Sequence, residues 1–170
     1  MARLINDYAA QEIMLPRNEM ELAESIRDFT VAELETPGGK QLVGCVALHF
    51  YTTIAGEVRS LAVDPAHARH GIGRKLVESL EVEARACDLA TLFAFTYVPD
   101  FFSKLGYERV DRNVLPLKAW KDCLRCPKFQ NCDEIAVLKR LKEIELRPFP
   151  SAGDSTRELV QLPTQSGKMA

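Results

Sequence analysis

The chain has 170 residues, of which 46% are apolar, with 22 Lys and Arg set against 24 Asp and Glu. That length and balance suit one globular domain with a real core. A net charge of −2 supplies no basic field of the kind that draws nucleic acid. No apolar run nears the roughly 20 residues needed to cross a bilayer and no secretory signal opens the chain, so a cytoplasmic location is expected.

Residues 1–11 have helical spacing at Leu4, Ile5 and Tyr8, with no cap or turn signal ahead of them. After Leu15-Pro16-Arg17, Asn18 is placed to cap a second helix, with Glu21 at the capping-box position and Met20, Leu22, Ala23 and Ile26 as its apolar face. Phe29–Leu34 reads as a strand, 37–40 as a hairpin turn, Leu42–Tyr51 as a central strand and Glu57–Val63 as a third strand that stops at Asp64-Pro65. A glycine-containing loop then opens a long amphipathic helix that buries Ile72, Leu76, Leu80 and Ala84, with Glu81 placed to pair with Arg85. The apolar run 90–97 is a buried strand, Pro99 starts a short helix through Lys104, and Gly106 ends it. Residues 107–110 and 134–139 are late strands, and from Pro148 onward the Pro, Ser, Gly, Thr and Gln text predicts a disordered tail over 148–170. The order ααβββαβαββ implies one α/β domain over 1–147, a mixed sheet with helices on both faces.

The strand, Asp64-Pro65, loop and Gly71-Ile72-Gly73 helix start suit a phosphate. Unpaired N–H groups and partial positive charge lie at a helix N-terminus, glycine lets backbone approach, and Arg69, Arg74 and Lys75 add charge. A tight strand-to-helix turn is the alternative. A nucleotide P-loop is excluded because Arg74-Lys75-Leu76 stands where Lys-Ser/Thr is required. The dinucleotide fingerprint is excluded because the loop follows a hairpin.

Glu57 through Pro65, followed five residues later by Gly71–Leu76, resembles the central motif of the GNAT acetyltransferases, and Phe102–Tyr107 resembles their helix-to-strand signature. The match implies a mostly antiparallel sheet and a cleft for acetyl-CoA. Arg69, His70, Gly71, Ile72, Gly73 and Arg74 would hold the pyrophosphate, Leu61, Ala62 and Val63 would face the pantetheine between splayed strands, and Lys104 would also serve the coenzyme. Ala68 and Arg69 depart from the family's usual Gln or Arg and Gly. GNAT chains normally begin with a strand before the first helix, and here that strand is missing.

Ile13–Arg17, Val43–His49, Gly56–Val63 and Thr91–Thr96 further resemble short, kinase-less bacterial N-acetylglutamate synthases. That resemblance implies an amino-acid acceptor, with Leu15 and Cys45 as main-chain contacts, Arg17 as carboxylate clamp and His49 at a substrate position. Arginine's planar fork suits carboxylates. By strand alternation Arg59 shares a face with Glu57 and Leu61, so it joins the substrate or pairs with Glu57. Glutamate is the leading acceptor, as in the first step of arginine synthesis. Glutamine or another small amine remains open, as does a non-catalytic acyl-CoA-binding module. A homodimer is compatible with the resemblance.

The reaction needs a base for the acceptor amine, and Glu57 is the candidate, with His49 or water as alternatives. Many relatives keep a tyrosine acid where this chain has Phe102, so the thiolate leaves unaided or Tyr97 substitutes. Cys45 and Cys87, inside a predicted strand and helix, read as small buried hydrophobes. Cys123, Cys126 and Cys132 crowd into residues 121–133, where a structural zinc with a nearby carboxylate (Asp122, Asp133 or Glu134), reduced thiols or a disulfide are all open. By the resemblance this segment lies where the family closes over its acceptor, so Lys121 and Lys128 are expected to serve the substrate end.

Overall fold

The computed structural model describes residues 1–115, 124, 126 and 128–143; the 148–170 tail, Lys121, Asp122 and Cys123 lie outside them. Helices α1 (Ala2–Ala9) and α2 (Glu19–Glu24) lead into strands β1 (Phe29–Thr36), β2 (Gly39–Phe50) and β3 (Ala55–Val63). Helix α3 (Ile72–Ala86), β4 (Thr91–Thr96), α4 (Pro99–Ser103), β5 (Glu108–Arg109) and β6 (Ile135–Arg140) follow. Among the described residues the sheet runs β1-β2-β3-β4-β6-β5. Every pairing is antiparallel except β3 with β4, as the long connection through α3 requires.

Local chemistry sets the element ends. Asn18 and Glu21 form the expected capping box, each side chain taking the other's backbone N–H. Pro37 and Gly38 alone separate β1 from β2, a two-residue hairpin that pairs Thr36 with Gly39. One sheet face packs Val46, Leu48, Val58 and Val137 against Leu76, Val77, Leu80 and Ala84 of α3. On the other face Ile5 of α1 and Leu22 of α2 cover Cys45 and Ala62.

Several expectations are corrected. The face of α2 reduces to Leu22, because the helix lasts six residues and leaves Met20, Ala23 and Ile26 exposed. Glu81 pairs with Lys139 at 2.6 Å while Arg85 donates to the Leu141 carbonyl. Both side chains reach to the strand and turn packed beside α3, in place of each other. Cys87 is the exposed C-cap residue of α3, outside the core. The strand read over 107–110 is only Glu108–Arg109, because Tyr107 turns its ring into the core against Phe102. Finally, the β2–β3 register slips between Cys45 and Ala47, and Ser60 has a positive φ of 50°. This bulge shifts the alternation by one, so Arg59 shares a face with Glu57 while Leu61 packs on the opposite side with α3.

Candidate active site

The loop ahead of α3 is built by backbone. Asp64 accepts the Ala66 N–H at 2.9 Å and starts a short 3-10 turn. Arg69 (φ 64°) and Gly71 (φ 78°) are then both left-handed, a conformation that turns successive N–H groups into an anion-binding concavity. Gly71 is the N-cap of α3 and offers no side-chain cap, so the amides of Ile72, Gly73 and Arg74 lack an intrahelical acceptor. A Cβ on Gly73 would stand 3.6 Å from Phe101 and Val63, so its absence is not forced by the protein's own packing. Arg74 donates to Glu78 at 2.7 Å on the surface, and Lys104 caps α4, exposed. His70 is exposed, with Nδ1 3.2 Å from the His67 carbonyl.

From this loop a cleft runs through the sheet. Strands β3 and β4 pair only at Ala55↔Thr91, Gly56↔Leu92 and Glu57↔Phe93. Beyond Glu57, β3 stays with β2 and β4 with β6, so the two part like the arms of a V. A cavity of about 590 Å³ occupies the opening, with Gly73 at one end, Val58, Ser60 and Leu61 on one wall and Phe95 and Tyr97 on the other. The Tyr8 hydroxyl lies along the same cavity and donates to the Val63 carbonyl at 2.6 Å, fastening α1 to β3.

The far end is polar. Glu57 is buried and its Oε2 stands 3.3 Å from Nε of Arg59, itself largely buried. Burial pushes its carboxyl up to about 7, against the opposing pull of Arg59, a Tyr51 hydrogen bond and Arg17, while Glu134 adds to the rise. Arg17 is held by a two-point clamp: its N–H donates to Asn6 Oδ1 at 3.0 Å, and Asn6 Nδ2 donates to its carbonyl at 2.9 Å. Leu15 and Arg17 line the cavity. So do Lys128, expected there from the 121–133 segment, Glu134 just beyond it, and Arg112, which the sequence reading does not place at the substrate end. Arg112 donates to the carbonyls of Cys132 and Glu134. Lys128 donates to the Glu12 carbonyl at 3.1 Å and lies 5.2 Å from the centre of the Tyr97 ring. Burial raises the Glu134 carboxyl, with Arg112 opposing. No local pattern marks Arg112; only the return of β6 beside β4 brings it to the other two.

Other candidates stand apart from this cluster. His49 faces Glu57 across β2–β3, but its Nδ1 is 3.3 Å from Asp28 and it is not part of the cavity wall. Cys45 is fully buried under α1, which pushes its thiol up to about 11. Phe102 lines the cavity from the core. Burial, then a hydrogen bond to Asp133, raises the Tyr97 hydroxyl, which makes it a weak acid. Cys126 and Cys132 are free thiols on the cavity wall. Among the described residues no three His, Cys, Asp or Glu side chains gather as metal ligands, and none of the helices is long and apolar enough to cross a membrane.

Comparison with known proteins places this architecture. Residues 25–109 match the acetyltransferase (GNAT) domain family. An uncharacterized N-acetyltransferase of Chlorobaculum tepidum is 40% identical over 141 residues, 83% of this chain and 88% of that protein. An amino-acid acetyltransferase of Mycobacterium tuberculosis is 35% identical over 123 residues, 72% of this chain and 70% of that one. Among solved structures, N-acetylglutamate synthase from Neisseria gonorrhoeae, complexed with coenzyme A and N-acetyl-glutamate, superposes with a TM-score of 0.71 at 28% identity. That match covers 84% of this chain and 32% of the larger enzyme. The chain belongs to the GNAT family of acetyltransferases.

Proposed function

We propose that the protein transfers the acetyl group of acetyl-CoA to the α-amine of an amino acid, with L-glutamate as acceptor, and so acts in the first step of arginine synthesis. One observation carries this reading. A single cavity joins the phosphate-type loop at Gly73, through the parted strands, to a buried carboxylate flanked by Arg17 and Arg59. The relatives named for amino-acid acetylation support it.

In this reading the amides of 69–74 hold the pyrophosphate, and the main chain of 61–63 meets the pantetheine. Arg17 receives an acceptor carboxylate, for which arginine's planar fork is suited, and Asn6 fixes the main chain that carries it. Arg59 and Lys128 complete the cationic end. Glu57 takes the proton from the acceptor ammonium, the amine attacks the thioester carbonyl, and a main-chain N–H of 61–63 stabilises the oxyanion. The tetrahedral adduct collapses to amide and thiolate. A thiol of ordinary pKa near 8.5 is a tolerable leaving group without an acid, which accommodates phenylalanine at 102.

The test is thiol release on mixing the protein with acetyl-CoA and each of the twenty amino acids. Glutamate should give the highest kcat/KM. Preference for glutamine or another amine would transfer the assignment to that acceptor. Coenzyme binding without release for any amine would leave an acyl-CoA-binding module.

A further inference from the structure

The wall that faces pantetheine carries a side chain that the reaction just described does not use. Tyr8 stands one turn after Ile5 on α1, and its ring packs on the cluster of Ile5, Leu22, Cys45 and Ala62. From there it reaches the opening between β3 and β4, where its hydroxyl donates to the Val63 carbonyl at 2.6 Å. That carbonyl belongs to the open margin of β3. The next residue, Asp64, donates its N–H to the Val43 carbonyl at 2.8 Å, on the β2 side. Main-chain groups of successive strand residues point to opposite edges, so those of Val63 face the cavity. A tyrosine hydroxyl has one hydrogen and two lone pairs. The hydrogen is spent on Val63, and burial, with the Asp64 carboxylate adding, raises the phenol's pKa and keeps that hydrogen in place. What the wall presents at this point is therefore a phenolic oxygen, an acceptor, in front of the strand's own carbonyl.

We propose that Tyr8 is a coenzyme-binding residue, its hydroxyl oxygen accepting an amide N–H of pantetheine while its hydrogen stays on the Val63 carbonyl. The inference rests on acetyl-CoA occupying this cavity. Val63 abuts the phosphate-type loop, since a Cβ on Gly73 would stand 3.6 Å from its side chain, so the amide concerned is the one nearer the pyrophosphate. Amide, phenol and carbonyl then form a chain of hydrogen bonds that polarise one another. The ring needs no rearrangement to take part, because its packing on Ile5 and its bond to Val63 already fix where the oxygen lies. Asn6 of the same helix holds the main chain of Arg17, so α1 serves both ends of the cavity.

The experiment is calorimetry on Tyr8→Phe, which keeps the ring and removes one oxygen. Ile5, fully buried, and the pair of bonds between Asn6 and Arg17 still hold α1 in place. Acetyl-CoA affinity should fall roughly three- to tenfold, the scale of one hydrogen bond. Affinity for the phosphorylated ADP half of the coenzyme, which ends where pantetheine begins, should be unchanged. In the wild type, an acetyl-CoA analogue with an ester oxygen in place of that amide N–H should lose affinity by a similar factor, and in Tyr8→Phe the ester should cost little more. Equal losses for both ligands in Tyr8→Phe would mark a tyrosine that only holds α1. Unchanged or tighter acetyl-CoA binding would mark one that only covers the carbonyl. Either result overturns the proposal, as does full wild-type affinity for the ester. A wild type that fails to bind acetyl-CoA at all would overturn the coenzyme reading beneath it, a result that none of the other outcomes resembles.

Discussion

The two ends of the cavity are made in opposite ways. On the proposed reading the coenzyme end comes from one unbroken stretch, 64–75, and its working groups are main-chain amides beside two left-handed residues. The acceptor end draws Arg17 from ahead of α2, Glu57 and Arg59 from β3, and Arg112, Lys128 and Glu134 from either side of a long connection. A backbone site needs only a few special φ values and survives most side-chain changes. A side-chain site depends on every element that carries a piece of it. Tolerance to substitution should therefore differ sharply between the two ends, and mutants can break that contrast.

The largest effect is expected at Glu57. Removing the base in Glu57→Gln should lower kcat by roughly 100- to 10,000-fold with little change in KM for acetyl-CoA. In the wild type, a carboxyl raised to about 7 is protonated and idle below that pH, so stopped-flow thiol release should rise through neutrality and level off above it. A flat profile would move the role to water. Next comes Arg17→Ala, which leaves an acceptor carboxylate without its partner. Steady-state kinetics should show glutamate use weakened on the order of 10- to 100-fold, with Arg17→Lys restoring part of it and acetyl-CoA affinity intact. Equal losses for both substrates would dissolve the division into two ends.

At the coenzyme end, Gly73→Val keeps its first carbon at ordinary contact distance from Phe101 and Val63, so the fold should hold. Its branches crowd the backbone approach, and calorimetry should find coenzyme affinity about tenfold weaker. The smallest effect is expected from Arg74→Ala. That guanidinium is tied to Glu78, and the amides beneath it are unaltered, so affinity should fall by no more than about threefold, the scale of an exposed charge. A large loss there would mean that charge, in place of main chain, holds the pyrophosphate.

The same contrast governs what the sequence discloses. Strand, Asp64-Pro65, glycines and helix stand in reading order, so the loop and the helix it opens were legible, as were the capping box at Asn18 and the apolar rows of α3. Ser60 was not. Nothing in Arg59-Ser60-Leu61 announces a bulge, yet that one residue sends Leu61 to the opposite face from Arg59. Arg112 was also hidden as a site residue, because the return of β6 beside β4 brings it to the cavity and spacing carries no trace of that return. Asn6 is the clearest instance. The helical spacing of α1 does not single it out, and its use is to grip the backbone of Arg17 eleven residues later.

The three-residue pairing of β3 with β4 has a consequence for folding. A sheet normally ends at its margins, where unpaired N–H and C=O groups face water. Here two such margins lie inside the sheet, facing each other across the cavity. Pantetheine carries amides spaced along a narrow chain, so on the proposed reading it enters as a guest strand and completes a layer the polypeptide leaves open. Coenzyme concentration then sets part of the protein's resistance to unfolding, with about 2.7 kcal/mol gained at a hundred times the dissociation constant. The stable unit in a cell supplied with coenzyme is the pair, and the bare chain is its less durable precursor.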